Sequence, residues 1–205
     1  VNMIKEITEV NFPNYATISS ATVTLNDMGD KTISAQIKIY GDIVPDFSYD
    51  WEVEFQGEQY INPFRKPQAS KGNESICSAI ELTFQHWTIY QLKRFYFVKM
   101  SEVDSGTVSV DKYISPINLN LGDFCVAFQR VLEYYFNGEI NIDLNQDWEY
   151  SQEVSNIEIS YTHIWDVLQK LYEVYGVRWS IEGKTIKIGY PTEEVEHVFK
   201  YGFDG

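Results

Sequence analysis

Glu52 and Glu54 offer the sequence's first possible chemistry, because two acids at i and i+2 share one face of a strand. Paired carboxylates can act as acid and base in glycoside hydrolysis. In Trp51-Glu52-Val53-Glu54-Phe55, however, the acids alternate with large apolar residues, which is the pattern of a solvated outer face. A second candidate is HIWDVLQKLYEVYGVRWSIEGKTIKIG (163–189), with His163 three residues before Asp166 and with Trp165 and Trp179 close by. The other histidines, His86 and His197, stand far away in sequence, and no CxxC or HExxH spacing marks a metal site. Asn26-Asp27-Met28-Gly29-Asp30 has the composition of a calcium loop without its full pattern or terminal Glu, so it reads as a turn. Nucleophile elbow, phosphate loop and dinucleotide fingerprint are all missing from the sequence. The expectation is therefore a non-enzymatic chain with no catalytic, cofactor-binding or metal-ligating residues. A wall hydrolase using Glu52 and Glu54 is the rival reading.

The elements around these residues give a simpler explanation for most of them. Ile164, Val167, Leu168, Leu171 and Tyr175 form one helical stripe, Thr162 is placed to cap it and Gly176 to end it. Val177, Trp179 and Ile181 alternate into a turn whose first central residue is Gly183, and Ile186, Ile188 and Tyr190 return on the same face, a II′ hairpin. A helix and hairpin sharing one core account for this segment, leaving Trp165 and Asp166 on the helix flank. Upstream, Asp123 is placed to cap a helix with the stripe Phe124, Phe128, Val131, Leu132 and Tyr135, stopped at Gly138. Short strands are expected at 140–144 and 156–161.

The first part of the chain reads as β. Ile33, Ala35, Ile37 and Ile39 alternate with polar residues, and 21–39 forms a hairpin around the Gly/Asp turn. A second hairpin spans 51–61 with Gln56-Gly57 at its tip, and a further strand carries Ile76, Ser78, Ile80, Leu82 and Phe84. The segment 85–100 reads as a turn of helix leading into a strand. The fold class expected is α+β: an N-terminal antiparallel β-barrel or sandwich, then a smaller α+β domain of two helices packed on short strands and a hairpin. The boundary falls between about 113 and 120, giving domains 1–115 and 116–195, with 196–205 opening a following segment.

Composition narrows the function classes. Acidic residues outnumber basic ones 30 to 16, a net charge of −14, which opposes binding to nucleic-acid phosphates or anionic lipid. That charge also turns the cationic-aromatic run Tyr90–Tyr96 from a single-strand platform towards a protein surface. Aromatics reach 16%, led by Tyr, as suits half-buried sheets and protein contacts. Cys77 and Cys125 have no metal spacing and read as buried thiols, though sequence leaves their pairing open. No run approaches a membrane span, and the first ten residues lack a signal-peptide layout.

Three stretches then carry a family resemblance: ATVTLNDMGDKTISAQIKI, PDFSYDWEVEFQGEQYINPFRKPQ and IELTFQHWTIYQLKRFYF. With LNLGDFCVAFQRVLEYYF, THIWDVLQKLYEVYGVRWSI and the closing VFKYGFDG, they resemble the N-terminal part of tail proteins of phages and prophages of Bacteroides-like bacteria. More broadly the chain is similar to the baseplate-hub or tail-tip class. The resemblance implies a virion structural protein made in the bacterial cytoplasm, trimeric at full length, contacting tail-tube and tail-tip proteins. It implies a ring role for 1–115, with DNA passing through the lumen, and a rim role for 116–195. It also implies that the chain is an N-terminal fragment, whose strand at 196–201 lacks its native partner. A carbohydrate- or receptor-binding module using Trp87 and Trp148 is the remaining alternative.

Overall fold

A computed structural model describes residues 7–26, 28–41, 43–47, 50–63, 68–69, 79–98, 113–114, 119–149, 153–155, 157–190 and 197–202. For 68–69, 113–114, 148–149 and 197–202 it describes the backbone alone. The chain divides into two compact units, Val1–Trp87 with Val195–Gly205, and Thr88–Glu194. The change of texture near 116 therefore falls inside the second unit, and the last residues return to the first.

The first unit holds β1 (Thr8–Glu9), β2 (Ala16–Leu25), β3 (Lys31–Ile39), β4 (Glu52–Phe55) and β5 (Glu58–Ile61). It continues with β6 (Gln68–Ala69) and β7 (Ala79–His86). The second unit holds α1 (Trp87–Arg94, all but its first residue), β8 (Tyr113–Ile114), α2 (Leu121–Phe136), β9 (Asn141–Leu144) and α3 (Gln146–Glu149). Then come β10 (Glu158–Ile159), α4 (Ile164–Tyr175), β11 (Trp179–Glu182) and β12 (Thr185–Ile188). Strand β13 (His197–Gly202) closes the chain in the first unit.

In the first unit the strands form one antiparallel sheet in the order β1-β4-β5-β7-β3-β2-β13, with β6 against β7. The sheet curls into a nearly closed barrel. Alternation explains the closure: Ile33, Ala35 and Ile37 from β3, Val53 and Phe55 from β4, and Ile80, Leu82 and Phe84 from β7 are buried in one cluster. Trp51, preceding β4, stacks on Phe47 at 5.0 Å and meets Phe12 at 5.2 Å, filling this core with aromatic volume. The hairpin tip at Gln56-Gly57 carries φ of +57° and +78°, the two left-handed residues of a I′ turn. Strand β13 pairs with β2 from His197↔Leu25 to Gly202↔Ser20 and stands at the end of the strand order, the edge position expected for 196–201. Of the strand expected at 75–84, Ile80, Leu82 and Phe84 are buried, while Ile76, Cys77 and Ser78 lie outside the described residues.

In the second unit, β9 lies parallel to β12 and β11 antiparallel to it, forming a small sheet. Buried Ile164, Val167, Leu168 and Leu171 mark the expected stripe of α4, and Phe124, Phe128, Val131 and Leu132 that of α2. Phe97, just beyond α1, meets Phe128 at 5.3 Å, so the segment expected to run from helix into strand becomes part of this core. Gly176 ends α4 at φ +67°, its N–H donating to Tyr172 O while the next N–H reaches Leu171 O. The hairpin turn keeps Gly183 at φ +56° with Glu182 opposite Thr185, as a II′ turn requires.

Three local expectations are corrected. Asn120, and not Asp123, caps α2: its Oδ1 accepts from Asp123 N at 2.8 Å while its Nδ2 donates to the Asp123 carboxylate at 3.1 Å. Asp123 thus occupies the third helical position of a reciprocal capping pair, near the positive end of the dipole. Thr162 does not cap α4 either, because its hydroxyl is engaged with Ser160, and His163 takes the cap position without a side-chain hydrogen bond. Trp165 is buried instead of flanking: its ring meets Trp179 edge-on at 5.1 Å and is covered by the Lys93 ammonium at 4.9 Å.

Phe128 has no exposed surface and contacts both Phe97 and Phe124. Phe128→Ala should therefore destabilise the second unit by about 3–5 kcal/mol, read as a lower urea midpoint. A midpoint shift worth less than about 1 kcal/mol would contradict this packing.

Candidate functional site

Among the described residues, the side chains singled out by sequence are not brought together as one group. Glu54 is exposed and Glu52 half-buried on the outer face of β4, where Glu52 accepts from the Gln59 amide at 3.1 Å. His163 lies 3.6 Å from Asp166, but both are substantially exposed, so the pair resembles an ordinary surface contact. His163 also stacks on Tyr96 at 4.3 Å, directly opposite it in a single antiparallel bridge. The 26–30 segment is a turn closed by Gly29 N to Asn26 O at 3.3 Å, with Asp30 accepting from Gln85. Cys125 is buried, and its possible partner Cys77 lies outside the described residues. The Trp148 and His197 side chains also lie outside what is described, and Trp87 is half-buried. Among the described residues, no three His, Cys, Asp or Glu side chains cluster as metal ligands.

The structure does assemble one polar cluster that spacing could not reveal. Inward positions at one end of the barrel bring together Lys31 at the start of β3, Glu58 and Tyr60 on β5, and His86 at the end of β7. Lys31 Nζ lies 3.3 Å from Glu58 Oε1, and His86 Nε2 lies 3.6 Å from the same oxygen. The Tyr60 hydroxyl donates to Glu58 Oε2 at 3.4 Å, and the Tyr60 ring meets the His86 imidazole edge-on at 5.3 Å. Burial pushes the Tyr60 hydroxyl far above the usual tyrosine value, and the negative charge and hydrogen bonding of Glu58 push it further.

Carboxylate, ammonium and imidazole are thus neighbours, the Lys31 and Glu58 side chains partly exposed and the imidazole buried. The His86 side chain is 2% exposed, and neither ring nitrogen has a hydrogen-bond partner among the described residues. A buried imidazole without a hydrogen bond costs folding free energy. The cluster therefore acts as the polar end of a core. Only the tyrosine and glutamate of Gly57-Glu58-Gln59-Tyr60 at i and i+2 hinted at it in sequence, since Lys31 and His86 belong to other strands.

The second unit carries an open groove of about 470 Å³ between α2 and β9, lined by Cys125, Val126, Gln129, Arg130, Ile142 and Leu144. Gln129 spans it: Oε1 accepts from Ile142 N at 2.8 Å, and Nε2 donates to Ile140 O at 3.4 Å. A side chain thereby satisfies backbone groups that β9 turns away from β12, which blunts this sheet edge.

No protein-family model matches the chain, and no curated protein matches it in sequence. Solved structures do share its fold. Prophage tail protein gp18 from Listeria monocytogenes aligns with a TM-score of 0.54 and 11% identity over 89% of this chain and 49% of its own. The 43 kDa tail protein of prophage MuSo2 from Shewanella oneidensis aligns with a TM-score of 0.55 and 13% identity, covering 92% of this chain and 56% of its own. The E. coli c3393 protein, a type VI secretion component described as structurally similar to T4 tail proteins gp27 and gp5, gives 0.54 and 6% over 89% and 48%. The chain spans about half the length of these structures. It shares the α+β fold of these proteins at identities where the likeness concerns fold alone.

The buried Tyr60 makes a pH-dependent prediction. The folded-state value of Tyr60 lies above its unfolded value of 10.0, so its contribution is complete below pH 10 and is lost as pH rises beyond it. Wild-type stability should fall more steeply than that of Tyr60→Phe above about pH 10, by up to roughly 1.4 kcal/mol per pH unit. Denaturant midpoints taken between about pH 8 and 11.5 test this, and parallel curves would contradict the burial of this hydroxyl.

Proposed function

We propose that the chain is a structural component of a phage- or prophage-type tail, of the baseplate-hub or tail-tip class, and that it works by assembly without catalysis. The observation that carries this reading is the shared fold: about nine-tenths of the chain aligns with each of two prophage tail proteins and a type VI secretion component. In this reading the β-barrel unit contributes to a ring continuing the tail tube, and the α+β unit decorates its rim. The partners are sister copies, as a homotrimer at full length, and the neighbouring tube and tip proteins. A net charge of −14 suits a channel past which DNA slides without adhering. The protein would be made in the bacterial cytoplasm and reside in the virion tail.

Particle composition tests the proposal. Particles released by an induced prophage should contain the chain in a small fixed ratio to the tube protein. Deleting the chain should yield particles without completed tails. Its absence from particles, or infectious particles formed without it, would overturn the reading. Release of sugar or peptide from purified cell wall, lost on Glu52→Gln, would instead favour the hydrolase.

A further inference from the structure

In an acidic chain, most cations should find a carboxylate. Lys31, Lys184 and Lys187 each do, at 3.3, 3.6 and 2.7 Å, while Lys38 lies over the Tyr40 ring and Lys170 donates to Glu158 O. Arg94, the last residue of α1, does not: it is exposed, and no carboxylate pairs with it among the described residues. Its guanidinium carbon instead lies 5.3 Å from the Tyr90 ring centre and 5.4 Å from that of Phe95. The two rings hold the guanidinium while leaving its hydrogen-bonding capacity unused among the described residues, the arrangement that favours two-point recognition of a carboxylate. The apolar surface continues beyond it. Phe95 packs on Tyr135 at 4.7 Å, and Tyr135 on Tyr134 at 5.0 Å, with Tyr134 47% exposed. Arg and Tyr ordered before contact are the residue types that dominate binding energy at protein interfaces.

We propose that Arg94 and the ring ladder Tyr90-Phe95-Tyr135-Tyr134 form a docking surface for another tail protein, whose contact segment carries a carboxylate beside apolar side chains. Charge selects this partner at two ranges. Locally, the unpaired guanidinium calls for an anion. At long range, a chain of −14 draws in a partner with a basic surface. The inference rests on the tail reading only for where that partner is to be found.

The test places the photo-crosslinking residue p-benzoylphenylalanine at position 134 of the full chain and irradiates assembled particles. The expected product joins this chain to one other tail protein, at a peptide with Asp or Glu close to the attachment point. Its yield should fall about fivefold with Arg94→Glu, the size of one charge-assisted rim contact, and less with Arg94→Lys. Thermal melting checks that both variants fold; should Arg94→Glu fail to, the Lys variant must still lower the yield. Attachment to a second copy, attachment to a peptide lacking acids, an unchanged yield, or no product while the chain is in the particle would each overturn the proposal. Absence of the chain from the particle would instead sink the tail reading, and the protein content of the same sample reports it.

Discussion

A sheet that is apolar on one face only has to hide that face, and most of the first unit follows from this requirement. Inward Ile, Val and Phe on β3, β4 and β7 form one buried cluster, with β7 lying between β5 and β3. The sheet then curls until strands far apart in order share one core. At about 25 cal/mol per Å² of apolar area, burying each such side chain contributes roughly 1.5–3 kcal/mol, far more than any exposed ion pair on the molecule. The outer face is left to Glu54, Glu81 and Thr83, whose exposure is the other half of the same alternation.

The barrel's polar end is a consequence of that closure. Where the inward rows of β3, β5 and β7 run out, Lys31, Glu58 and His86 occupy positions that geometry directs inward. Glu58 lies within 3.6 Å of Lys31, His86 and the Tyr60 hydroxyl, so three strands meet at one carboxylate. In the second unit the equivalent work is done by rings, with Trp165 on Trp179 and Phe97 on Phe124 and Phe128.

Periodicity made the elements legible. The hairpin at 51–61, the stripes of α2 and α4, the stop at Gly176 and the turn at Gly183 were all readable, because each is decided by residues within a few positions of one another. Long-range choices were not. The pairing of β13 with β2 joins residues more than 170 apart, and no local pattern marks the unit boundary at Trp87 and Thr88. Competition between neighbours accounts for the local errors: Asn120 outcompetes Asp123 as cap by pairing with it, and Ser160 diverts the Thr162 hydroxyl. The buried cluster was hidden for the same reason as the strand order, since its members meet only across β3, β5 and β7.

The central claim is that this fold serves as a part of a tail. A cryo-electron microscopy reconstruction of tails containing the chain tests it most directly. The account predicts that the barrel lies in a ring around the tail axis, next to the tube, with the α+β unit outside it. Finding the chain off the axis, or with its α+β unit lining the channel, would contradict the account.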